Sequence, residues 1–499
     1  MVTHFEFGMQ PTCPLCSWRR GGIPNSKFRI QNLPRPGRGL VLNSAAREGV
    51  AKMKQKSFLK ILAAATAVCI LAIVTLTSCG AEKAEEAAVV AGAHPVIILA
   101  LDGLRADALG SYGAPVRTPA FDALAAESVR FEWAFAQAPQ SQPSLAALFS
   151  GLYPTTNGLR APGDSMADEA TTLAEVLSAG GYSTAAFVEG LPGSSDYGLA
   201  QGFDSYQTTA TPGTASAEWM RAHANENFLL VLAGWSNVAL EKVNALLKDS
   251  GQPEGMAQRV AEVLASRATD QPIDFDEEDL EWVRAWYAAR IQVIDSMLEG
   301  FLAEIRGMGL DNRATLVVLG SNGFALQEHG DLFGESLYNP VARVPVFIRF
   351  AAGADVSPVA KVVEVVDLMP TILELTGQPI PAGVQGSSVV PILEGAGQPP
   401  YVAFGESPQF GGQRFVAFGG MGMVSGIGGE GAEIFDLNTD PLELDNLAGT
   451  EADRLGVVIR HLEAWEKMVA VVSLDPELRT EEDLDEDTLK QLKSLGYIQ

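Results

Sequence analysis

Asp102 is the first side chain of this 499-residue sequence that stands where chemistry could be done. It closes Pro95-Val96-Ile97-Ile98-Leu99-Ala100-Leu101, an apolar run rich in β-branched residues and too short to cross a membrane, and Gly103 follows it. Such a run predicts a buried parallel strand whose carboxyl end delivers the carboxylate to a crevice, the place where open α/β sheets bind ligands. A second run, Ala314 to Gly320, ends in the same way on Ser321, Asn322 and Gly323. Ser141 lies where the polar turn Ala138-Pro139-Gln140 passes into a small apolar helix. The unsatisfied N–H groups and dipole of a helix start favour an anion there. Function is expected where these strand ends meet.

The elements that must hold these groups follow from periodicity. The longest helix is predicted over Glu281 to Met308, with Ile291, Ile294, Leu298, Leu302 and Ile305 on one face, and the strand at Thr315 comes after it. This α/β alternation puts Ser321 and Asn322 on the same sheet as Asp102. Thr118 with Pro119 predicts a capped helix start, Ser128 to Ala136 a strand, and Val363 to Leu375 a core helix. Beyond Pro399 the rhythm changes to short strands (Tyr401 to Phe404, Arg414 to Phe418, Glu433 to Asp436) and a helix from Ala452 to Val471. The expected fold is α/β: a large, mainly parallel sheet sandwiched by helices over residues 94–395, and a smaller α+β subdomain over 396–499.

Composition narrows the classes. Hydrophobic residues at 47% and charged residues at 19% are globular values, and the net charge of −26 becomes more negative once the basic N-terminal stretch is set aside. That balance excludes nucleic acid and polybasic docking to anionic lipid as modes of binding. All four cysteines (Cys13, Cys16, Cys69, Cys79) fall in the first 79 residues, so the body has no disulfide framework and no thiolate nucleophile or metal site. Cys13 and Cys16 resemble half of a zinc site but have no second pair, and chance accounts for them.

Lys54, Lys56 and Lys60 precede an apolar stretch from Ile61 to Leu76, closed by Leu76-Thr77-Ser78-Cys79-Gly80. A basic segment, an apolar segment and small residues before a cut describe a secretory signal over residues 53–79. The tetrad resembles a bacterial lipobox, which makes Cys79 the lipidated first residue of an extracytoplasmic envelope protein held to the membrane through lipid alone. The other reading, a single transmembrane anchor, suits the stretch less, because it is short for a span of ~20 residues. Residues 1–52 read as a non-native or disordered leader before Met53, and 80–93 as a flexible tether.

Leu101-Asp102-Gly103-Leu104-Arg105-Ala106-Asp107 with Leu109-Gly110-Ser111-Tyr112-Gly113 opens a series of landmarks. Thr118-Pro119 with Asp122 and Leu124, Ser141-Gln142-Pro143-Ser144, and Ser150-Gly151-Leu152-Tyr153-Pro154 with Gly158 continue it. Later come Gln201-Gly202-Phe203-Asp204, Arg343-Val344-Pro345-Val346-Phe347, Val366-Asp367-Leu368-Met369-Pro370-Thr371, and finally Leu492 to Gln499. In this order they resemble the sulfatase family of the alkaline-phosphatase-like superfamily, from about His94 to the C-terminus. The resemblance implies hydrolysis of sulfate or phosphate esters, on small molecules or glycans. It also implies one divalent cation, calcium as a rule, and a nucleophile that is formylglycine or a plain hydroxyl.

Carried over by position, the cation ligands are Asp102, Gly103, Ser321 and Asn322, and only one of three expected carboxylates is present. Altering a residue merely behind a ligand costs ~10- to 100-fold in metal affinity. Two missing ligand carboxylates therefore imply a loss of at least ~10² to 10⁴. Leu145 stands where formylglycine formation asks for arginine, which leaves Ser141 as a hydroxyl nucleophile that needs a metal or base. Gly234-Trp235-Ser236-Asn237 replaces an Asp-Pro-His turn, and Glu335 replaces a lysine. His329, in Glu328-His329-Gly330-Asp331, reads either as a general acid or replacement ligand, or as a loop histidine paired with its neighbours. Asp102 reads as a retained site residue or as a local cap, and Arg105 with Asp107 as a structural ion pair. Two functions stay open: a degenerate family member that binds without turnover, and a working ester hydrolase with a rebuilt site around Asp102, Ser141, Asn322 and His329.

Overall fold

The computed structural model describes residues 94–474 except 162, 190–194, 210, 235–239, 250–254, 267–275, 335, 352–356, 396–400 and 409–411. The leader, signal, Cys79, the tether, Trp235 to Asn237, Glu335 and the landmark at 492–499 lie outside the described residues.

Eight strands form the main sheet: β1 (Val96–Leu101), β2 (Val129–Phe135), β3 (Ser183–Val188), β4 (Ser205–Thr208), β5 (Phe228–Gly234), β6 (Thr315–Gly320), β7 (Arg343–Arg349) and β8 (Val359–Glu364). Their order is β4-β3-β5-β1-β6-β7-β2-β8, all parallel except the reversed β7. The expected mainly parallel sheet is thus present. Unbroken apolar sequence makes β1 a strand buried on both faces. Val96, Ile98 and Ala100 enter one hydrophobic core, and Ile97, Leu99 and Leu101 enter the other, the two-residue period of a pleated strand.

Helices cover both faces. α1 (Pro119–Ala126), α2 (Ser141–Ser150), α3 (Glu277–Gly307), α4 (Leu368–Leu375) and, beyond the sheet, α5 (Ala452–Val471) are the ones that matter for the site and its support. α3 starts at Glu277 rather than Glu281 because Asp276 and Asp279 cap it reciprocally. Thr118 does not cap α1 with its side chain. Its Oγ1 instead accepts from Gly110 N at 2.9 Å, and Asp295 of α3 accepts from Ala120 N and Phe121 N at 3.0 and 2.9 Å. The expected helix over Val363–Leu375 is divided: β8 runs to Glu364, a tight turn covers Val365–Asp367, and α4 starts at Leu368. Glu364 and Asp367 bond to each other's backbone N–H, a local closure that stops the strand and starts the helix.

β9 (Val402–Ser407), β10 (Gln413–Phe418), β11 (Met421–Ser425) and β12 (Glu433–Asp436) make a smaller antiparallel sheet in the order β12-β11-β10-β9. Glycine-rich sequence hid β11. Gly419 and Gly420, at φ 59° and 81°, form the two-residue hairpin turn that pairs Phe418 with Met421. Trp465 of α5 stacks on Phe404 of β9 at 5.2 Å. Glu364 joins this unit to the main sheet by accepting from Phe404 N at 2.8 Å and Tyr153 OH at 2.9 Å.

Candidate active-site crevice

The parallel pairing of β1 with β6 sets Leu101 beside Gly320, so the residues after each strand emerge together. Ser321 N donates to Leu101 O at 2.9 Å, and Leu104 N donates to Asn322 O at 2.9 Å. Gly320 and Gly323 permit the close approach. A Cβ at 320 would lie 2.7 Å from Leu104 O, and one at 323 would lie 2.1 Å from Pro340 O.

Ser141 is the first residue of α2, and its hydroxyl reaches the same point. Its Oγ contacts Asp102 Oδ1 closely, lies 3.2 Å from Asn322 Oδ1 and 3.3 Å from Ser321 Oγ. The hydroxyl has one proton to give. A carboxylate oxygen takes it in preference to an amide oxygen, because charge-assisted bonds are roughly twice as strong. Asn322 is fixed by Nδ2 donating to Pro139 O at 2.9 Å, which turns Oδ1 inward. That oxygen also faces Gly103 N at 3.1 Å and Ser321 Oγ at 3.2 Å. The structure therefore brings Asp102, Ser141, Ser321 and Asn322 into one cluster, with Ser141, Ser321 and Asn322 buried and Asp102 partly open.

His329 is not brought there. Its Nε2 bonds to Leu442 O at 2.8 Å and its ring stacks on Tyr338 at 3.6 Å, so the imidazole ties its loop to the C-terminal unit. Glu328 accepts from Arg105 Nη1 at 2.5 Å and from Leu326 N at 2.6 Å, and Asp331 accepts from Ser336 N at 2.9 Å. The Arg105–Asp107 pair is present and bidentate, at 2.8 and 2.7 Å. Partial desolvation works against ionised Asp107, whose side chain still reaches solvent, but the Arg105 guanidinium outweighs it and holds the carboxyl below its ordinary range.

Sequence reasoning missed Arg290. It projects from the buried face of α3, where Tyr287, Ile291 and Ile294 are apolar neighbours, and it donates from Nη1 to Gly103 O at 3.0 Å and from Nη2 to Asp102 O at 2.7 Å. Tyr287 OH also donates to Gly103 O, at 3.0 Å, and burial pushes this phenol up to about 12. The available signal was an arginine at a core position of a helical stripe, where a charge is retained only if something pairs with it.

Hard divalent cations ask for several oxygen ligands, most of them anionic. These residues do not match that demand. Asp102 is the one carboxylate among the four positions, Asn322 Oδ1 already faces the Gly103 N–H and the Ser321 hydroxyl, and the missing side chain at 103 would open toward a guanidinium. Among the described residues no group of three or more His, Cys, Asp or Glu gathers.

A family profile described as Sulfatase matches residues 94–378, more than half of the chain. The chain belongs to the sulfatase family. This sulfatase-family chain is 25% identical over 419 residues to the Delta 4,5-hexuronate-2-O-sulfatase of Bacteroides thetaiotaomicron, covering 70% of the chain and 84% of that protein. With arylsulfatase K of Xenopus laevis it shares 26% identity over 204 residues, 36% of each protein. The chain thus spans about a third or less of the arylsulfatase K sequences that it matches. Among solved structures, BT4656 in complex with its substrate D-glucosamine-2-N,6-O-disulfate aligns with TM-score 0.62 at 19% identity, over 79% of this chain and all of that one. The phosphonate monoester hydrolase of Agrobacterium radiobacter aligns with TM-score 0.63 at 20% identity, over 76% and 96%. Both share the fold, a large mixed, mostly parallel sheet with flanking helices.

Proposed function

We propose that this protein is a sulfatase-family member of the bacterial envelope, anchored through a lipid on Cys79, whose crevice binds a sulfated or phosphorylated glycan and turns it over weakly or not at all. The observation that carries this reading is the single carboxylate, Asp102, in a cluster otherwise made of two hydroxyls and an amide. Such a cluster can hydrogen-bond an ester's oxygens, and the start of α2 adds N–H groups that favour an anion. None of the four side chains carries a positive charge to stabilise a developing leaving group. The relatives' names, a hexuronate sulfatase and a partner of glucosamine disulfate, favour a sulfated uronic acid or amino sugar as ligand.

A second reading has its own support. The Ser141–Asp102 contact gives the hydroxyl a proton acceptor without any metal, so a slow ester hydrolase with Ser141 as nucleophile and Asp102 as base is the competing function.

One set of measurements separates the two. The protein is incubated with an aryl sulfate, an aryl phosphate and sulfated glycosaminoglycan oligosaccharides, with turnover and binding read separately. Binding is expected with little or no turnover, any residual rate being unchanged by Ser141→Ala. Turnover abolished by Ser141→Ala makes the protein a hydrolase. In cells, Cys79→Ser is expected to move it from the membrane to the soluble fraction.

A further inference from the structure

We infer that the Arg290 guanidinium is the resident positive charge of this crevice and that it replaces a divalent cation, making the site independent of metal. The inference deepens the proposal above and rests on the same crevice being the ligand site. Three observations converge. Arg290 is 4% exposed and anchors on the carbonyl oxygens of Asp102 and Gly103, the two positions where the family resemblance asks for adjacent carboxylates. Gly103 sits at φ +62°, and a Cβ built there would stand 3.4 Å from Arg290 Nη1 and 3.5 Å from Nη2. A carboxylate at that position would therefore pair with the guanidinium before it could serve as a ligand. Finally, Arg290 interrupts an apolar face of α3, and burying a charge is unfavourable unless the surroundings use it.

Reinstating the missing carboxylates alone is then insufficient, because the arginine must also be removed. Calcium binding is measured by calorimetry on the detergent-solubilised full chain. The proteins compared are wild type, Gly103→Asp/Ser321→Asp, and the same pair combined with Arg290→Gln, in which the amide keeps a donor for the carbonyls and loses the charge. Wild type and the double variant are expected to take up no calcium at millimolar concentration. The triple variant is expected to bind one equivalent at least ~100-fold more tightly than the double, with a calcium-dependent rise in melting temperature that neither other protein shows. Stoichiometric calcium on wild type, or equal affinity in double and triple variants, overturns the inference. So does a triple variant with native near-UV dichroism that takes no calcium. If the triple variant does not fold, the carboxylate pair is combined instead with Arg290→Met and with Arg290→Lys: calcium uptake in the neutral combination only supports the inference, and uptake in both, or in neither, overturns it. Ester turnover is read separately, so failure of the functional proposal leaves this outcome legible.

Discussion

Gly323 shows how little room the crevice leaves. A Cβ there would meet Pro340 O at 2.1 Å and Val341 Cα at 2.9 Å, both backbone atoms, so nothing short of moving the loop relieves the clash. Gly323→Ala is expected to lower stability by about 1 to 3 kcal/mol, the range for overpacking a filled interior. Through the adjoining Asn322 it should also weaken ligand binding. Urea denaturation checks the first effect and oligosaccharide titration the second. Ligand affinity retained in a destabilised variant would show that Asn322 is held by its bonds to Pro139 and Gly103 rather than by its neighbour. Asp102 is a different kind of residue: its backbone carbonyl is taken by Arg290 while its side chain faces Ser141, so one position carries both the support and the chemistry.

At the scale of elements, α3 organises more than its length suggests. Asp295 reaches across to the first N–H groups of α1, and Tyr287 and Arg290 fasten the end of β1. Asp295→Ala leaves those buried donors without an acceptor and is expected to cost about 1 to 2 kcal/mol, as loss of a helix cap does, with Asp295→Asn losing less. Equal denaturation midpoints for Ala and wild type would count against this. The sequence made β1 and β6 legible because their apolar runs are unbroken, and strand alternation carried Ser321 and Asn322 to the sheet end that holds Asp102, with Ser141 placed by the helix start that follows its polar turn. It did not disclose Arg290 or the second role of Asp295, because these depend on which helix crosses which strand end. Helical spacing across Val363–Leu375 concealed a strand end, since a short run of β-branched valines suits either state. His329 was drawn toward the crevice by its loop, but its ring is occupied by Tyr338 and Leu442.

For the whole molecule, the junction between the two sheets buries acidic side chains, Glu364, Glu406 and Glu443 among them. Glu443 is buried at φ 61° with Oε1 lacking a hydrogen-bond partner among the described residues, while Oε2 accepts from Asn339 N at 2.7 Å. Burial, reinforced by Asp440 and Glu433 against the Asn339 bond, pushes its carboxyl up to about 8. The folded state thus holds this proton more tightly than the unfolded chain, whose glutamate titrates near ~4.3. Its contribution to stability is full below that value, declines as pH rises, and is lost above about 8. Glu443→Gln mimics the protonated form. Its unfolding free energy is expected to exceed that of wild type by a margin that grows from about pH 5 to pH 8 and then levels, on the order of a few kcal/mol at most, read by urea denaturation across pH. Parallel pH profiles for the two proteins would contradict this.

The central place of β1 has a consequence for how the chain is made. Val96 pairs with Leu229 on one side and Thr315 on the other, so β1, the first strand among the described residues, has no neighbour in its sheet until far more of the chain exists. At ordinary synthesis rates of ~5 to 20 residues per second, that wait is on the order of ten seconds. During it an apolar strand with two open edges needs shielding by a chaperone or an export factor. The crevice consequently cannot be completed until β6 and Asn322 have followed the whole of the long helix out of the ribosome.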